Sequence, residues 1–140
     1  MVQAAEGRAT RSELLAQIEM IQARLVHLQQ IFDLIRVERI RDADDAAPTA
    51  EARKRADAWT QASAAKGIMP DEVDTDALGG MGILFFGSEA NEATANRRVW
   101  VACLNRGSTV VSLTDERGRV SSLPPDAPDL WEQVKAFLGR

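Results

Sequence analysis

The hydrophobic pattern is strongest near the start of the chain, where apolar residues recur at Leu14, Ile18, Ile21, Leu25, Leu28, Phe32 and Ile35. The steps alternate between four and three, which is the a/d spacing of a heptad seam. On an α-helix this spacing makes a narrow apolar stripe suited to a second helix. Leu14, Ile21, Leu28 and Ile35 take the d positions, and Ile18, Leu25 and Phe32 take a. The pattern predicts a helix from Ser12 to about Arg41, with Ser12 as its cap and Thr10 as a competing cap. Neither Gly nor Pro interrupts it, and thirty residues at ~1.5 Å each give a rod of about 45 Å. Arg11 and Arg39 stand at a-type positions at its two ends. Leu15, Val26, Ile31, Leu34, Val37 and Ile40 lie off the seam and predict a second packing surface.

An acidic stretch ending at Pro48 stops this helix, and a second is expected from Thr49 to about Lys66. Its inward face reads Ala52, Ala56, Trp59 and Ser63, with Ala62 alongside. Small residues of this kind let two helices approach closely, so an αα-hairpin is expected. From Gly67 to Gly82 the composition shifts to Pro, Gly and acid, which reads as a linker.

Apolar runs at Ile83–Phe86, Arg98–Leu104, Thr109–Leu113 and Arg119–Leu123 then alternate with turn sequences that place Gly107 and Gly118 near the left-handed position. In the run beginning at Arg98, Val99, Val101 and Cys103 share one face while Trp100, Ala102 and Leu104 share the other. Both faces are apolar, so a central strand covered on two sides, or by a partner on one, is expected. After Pro124 and Pro125, a last helix carries Leu130, Val134 and Phe137 at i, i+4 and i+7, with Trp131 and Leu138 beside them, to cover the sheet.

The expected fold is α+β: a long N-terminal helix and a second helix forming an αα-hairpin, followed by a three- to four-stranded antiparallel meander covered by a C-terminal helix. The implied organisation is a flexible N-terminus over 1–11, a helical, coiled-coil-like dimerisation segment over 12–66, an acidic and Gly-rich linker over 67–82, and a small β-sheet with its helix over 83–140.

Composition narrows the function. In 140 residues, 17 basic and 21 acidic groups leave a net charge of −4, which argues against a dedicated nucleic-acid binder. The excess of acid lies wholly after residue 66. A single cysteine, Cys103, forms no internal disulfide and fits a reducing compartment. The first residues lack the apolar stretch of a secretory signal, and no run reaches the length of a membrane span. A cytoplasmic location without membrane association is expected.

Chemical motifs are scarce. Gly82 to Ser88 has the outer spacing of a phosphate loop but puts serine where the lysine belongs and a strand where the loop belongs. Asp71, Glu72, Asp74 and Asp76 invite a calcium loop, yet the position of the bidentate glutamate is Phe85. His27, the only histidine, falls at c, away from the seam. Cys103, on a buried strand, has no reason to meet it. No metal or cofactor is expected.

The function expected from these residues is a non-enzymatic, self-associating interaction protein of adaptor or chaperone-like character. It would dimerise through Leu14, Ile18, Ile21, Leu25, Leu28, Phe32 and Ile35 and bind a protein partner through its α+β half. The strand Ile83, Leu84, Phe85 and Phe86 is the candidate edge for an added partner strand. One alternative is a dimeric nucleic-acid-associated regulator using Arg36, Arg39, Arg41, Arg53, Lys54 and Arg55. Another is a small enzyme with carboxylate and arginine chemistry around Glu89, Glu92, Arg97, Arg98 and Asp115.

Overall fold

A computed structural model describes residues 10–36 and 47–140. Its elements are α1 (Arg11–Arg36), α2 (Ala50–Ala65), β1 (Glu72–Thr75), β2 (Gly80–Phe86), β3 (Arg98–Leu104), β4 (Thr109–Thr114), β5 (Val120–Leu123) and α3 (Leu130–Leu138). The α+β class is as expected, but the antiparallel sheet has five strands rather than three or four, in the order β1-β2-β3-β4-β5.

The additional strand, β1, lies inside the stretch expected to be a linker. It carries one inward apolar residue, Val73, and pairs Glu72 with Leu84 and Thr75 with Met81. The acids that flank it serve the local structure. Asp71 accepts from the Phe86 amide at 2.7 Å and pairs with Arg140 at 3.2 Å, and Asp76 accepts from the Leu78 amide.

Thr10 rather than Ser12 caps α1. Its hydroxyl accepts from the Glu13 amide while the Glu13 carboxylate accepts from the Thr10 amide, a reciprocal capping box that satisfies two otherwise orphaned donors. Thr49 caps α2 through the Ala52 amide, and Gly139 ends α3 in the left-handed region at φ 67°. Gly107 and Gly118 have φ of 99° and 79°, as their turns require.

One core unites the helical and β segments. Ile31 and Ile35 of α1, Ala56 of α2, and Leu130, Trp131, Val134 and Leu138 of α3 all pack on the same face of the sheet, against Ile83, Phe85, Val99, Val101 and Val111. The 67–82 stretch therefore connects parts of a single core, because α2 and the end of α1 complete the cover that the sheet needs. Trp131 contacts Trp59 and Phe85 edge-on, with ring centroids 5.6 and 5.9 Å apart.

The opposite face of β3 is covered by its own side chain. Trp100 lies over Gly82, where a Cβ would fall 1.7 Å from the indole, and its Nε1 donates to Asp76 at 3.0 Å. Glycine at 82 makes room for the ring, and Asp76 fixes its direction.

Candidate association surface

The end of α1 is anchored. Ile31 and Ile35 are buried, Arg36 forms a forked ion pair with Asp57 of α2 at 2.9 Å, and Arg53 of α2 donates to the Ile35 carbonyl at 2.7 Å. His27 and Leu28 are half-buried at the margin of the body, where a ring nitrogen of His27 lies 2.6 Å from the Pro70 carbonyl oxygen. His27 thus ties α1 to the chain entering β1, a contact its c position does not announce.

N-terminal to that margin the helix runs clear of the core. Every residue from Arg11 to Val26 is exposed, including Leu14, Ile18, Ile21 and Leu25 of the seam at 49–60%. Leu15, Met20 and Val26 are equally open beside it. An isolated exposed leucine is ordinary, but a contiguous stripe at helical spacing is not. The seven seam residues are thereby divided. Leu14, Ile18, Ile21 and Leu25 are free, Leu28 and Phe32 are half-buried, and Ile35 belongs to the monomer's own core. Ile35 cannot serve a dimer interface, because the space in front of it is filled by α2 and the sheet. Of the second surface, Ile31 is buried, and Val37 and Ile40 lie outside the described residues.

The other candidate residues are placed as follows. Ile83, Leu84, Phe85 and Phe86 are not an edge. They lie in β2, which is hydrogen-bonded to β1 on one side and to β3 on the other, so no backbone groups remain to receive a partner strand. The edges are β1 and β5. Of the two, β5 matches the expected last strand, whereas the short, acidic β1 lacks the apolar alternation that marks a strand.

Among the arginines of the basic cluster, Arg36 is paired with Asp57 and Arg53 with the α1 terminus. Arg55 donates to the carbonyls of Leu104 and Ser108 and to the Thr109 hydroxyl, stitching α2 to the β3–β4 turn. Lys54 is exposed, while Arg39 and Arg41 lie outside the described residues. Three of these side chains thus hold the fold together and do not form one cationic surface.

Glu89, Glu92, Arg97, Arg98 and Asp115 do not converge on a common cleft either. Arg97 pairs with Glu116 at 2.9 Å and donates to the Phe137 carbonyl, Arg98 stacks over Phe86, and Asp115 closes its own turn. A groove of about 340 Å³ between α2 and α3 is lined by Trp59, Ala62, Lys66, Pro125, Trp131 and Glu132. Rings and methyl groups share its wall with the charged side chains of Lys66, Asp126 and Glu132. Among the described residues no three side chains of His, Cys, Asp or Glu are grouped to hold a metal, and no helix is long and apolar enough to cross a membrane.

Comparison of the chain with protein-family models, with curated proteins and with solved structures finds no match to any of the three. The α+β fold and the projecting apolar helix are therefore the features from which function is argued.

Proposed function

We propose that this protein is a non-enzymatic, self-associating interaction module, in which α1 joins two copies and the α+β body is presented to a protein partner. The observation that carries the reading is the exposed stripe of Leu14, Ile18, Ile21 and Leu25 on a helix whose far end is locked into the core. Anchoring matters because a free helix of this length is marginal in water. Here the last turns are already ordered by Ile31 and Ile35, so a partner helix has less order to impose.

Each seam side chain is about half exposed, so covering it contributes roughly 1 kcal/mol, half of the ~1.5–3 kcal/mol of full burial. Gains of this size, repeated along two helices, stand against an association cost of comparable order, and one buried charge is then decisive. The expected outcome is that Ile18→Asp with Leu25→Asp yields a monomer by light scattering at a concentration where the parent chain is dimeric. Thermal unfolding of the body should be retained, since both positions lie outside the core. A parent chain that scatters as a monomer at micromolar concentration would refute the proposal.

A further inference from the structure

Resting on that dimeric reading, we infer that the two α1 helices pair antiparallel, with Leu14 of one copy against Leu25 of the other and Ile18 against Ile21. Two observations lead there.

Among the described residues the seam is interrupted at one end only. Toward its C-terminal end it meets α2, where Arg36 is held by Asp57 and Ile35 is fully buried. A parallel partner would bring its own α2 and sheet to the same height, so both bodies would need the same space beside Leu28. An antiparallel partner instead lays its exposed half along the exposed half of the first. Its capped N-terminus then arrives at the margin marked by His27 and Leu28, and the bodies lie at opposite ends.

The register of the stripe fits this orientation. Antiparallel helices bring a positions against d positions. Leu14 and Ile21 are d, Leu25 and Ile18 are a, and both pairs share one centre between residues 19 and 20. A two-fold axis there matches every free seam residue with another, leaving none opposite solvent. In the overlap, residues 13–26 of one copy lie along residues 26–13 of the other, all of them exposed in the monomer.

Disulfide trapping tests the orientation. The native thiol is silent, because Cys103 is fully buried in β3 and burial pushes it up to about 11. Leu14→Cys and Leu25→Cys are prepared separately, mixed under reducing conditions to exchange subunits, and then oxidised gently. In the antiparallel register two copies of Leu14→Cys hold their sulfur-bearing residues about 16 Å apart along the axis, eleven residues at ~1.5 Å each. A disulfide needs its Cα atoms within about 7 Å.

The expected result is a covalent dimer from the mixture and none from either variant alone. A covalent dimer from Leu14→Cys alone, or a scattering dimer that cross-links in no arm, overturns the antiparallel register and leaves the dimeric reading standing. A monomer in light scattering under reducing conditions, for the parent and both variants, overturns the two together. Because both substituted residues are exposed in the monomer, the far-ultraviolet circular dichroism of each variant should match the parent, and that comparison shows that folding is intact.

Discussion

Cys103 shows how burial alone gives a single residue of an apolar strand a measurable chemistry. It is fully buried on the core face of β3, and loss of hydration pushes its thiol from 9.0 up to about 11, against smaller opposing effects of the Arg55 charge and a hydrogen bond with Thr109. Because the folded value is the higher, the stabilisation is complete below about pH 9 and is lost as the pH rises toward 11. The slope across that window is about 1.4 kcal/mol per pH unit. Denaturant midpoints measured from pH 8 to 11 should fall more steeply for the parent chain than for Cys103→Ala, which lacks the titrating group. Equal slopes would mean that the thiol is not desolvated as described. At pH 8 the folded chain should resist thiol reagents that label it promptly once unfolded.

At the scale of elements, the β4–β5 hairpin is governed by one carboxylate. Asp115 accepts from the Arg119 and Arg117 amides at 2.9 Å each and from the Arg119 guanidinium at 3.0 Å. These donors hold the carboxyl below its ordinary value, the Arg119 amide having the largest effect. A depressed value means that the stabilisation is present above the free-aspartate range and is lost as pH falls through the lower folded value. Carboxyl carbon shifts should show Asp115 titrating below pH 3.8, with the Arg119 amide resonance moving in step, and a midpoint at or above 3.8 would contradict the turn geometry. The two glycine turns were legible because a left-handed residue leaves a compositional mark. α2 was legible through its Thr49 cap, and α3 through the i, i+4, i+7 spacing of its apolar residues. β1 was not, since Glu72-Val73-Asp74-Thr75 holds one apolar residue among polar ones and becomes a strand through pairing with β2. That same omission turned Ile83–Phe86 from a central strand into an apparent edge. Thr60, fully buried in α2 beside alanines, likewise lacks any polar–apolar signal.

For the whole molecule, the heptad spacing revealed a helix and its apolar line, but the point at which that line passes from self-contact to exposure depends on where α2 crosses it. Ile21 and Ile35 both occupy d positions of the seam, yet one is 55% exposed and the other is fully buried. The division predicts two behaviours within one continuous helix. Amides of residues 28–36 are held by the core and should exchange slowly whether or not the protein associates. Residues 11–26 are exposed throughout in the monomer and none belongs to its core, so the protection of their amides should depend on the second copy and increase with protein concentration. Hydrogen exchange followed by mass spectrometry on the parent and on Ile18→Asp with Leu25→Asp separates the two segments. Loss of protection confined to 11–26 in the variant is the expected result. Uniform loss over all of α1 would mean that the core does not anchor it, and equal protection in both proteins would mean that the exposed half is ordered by something other than its twin.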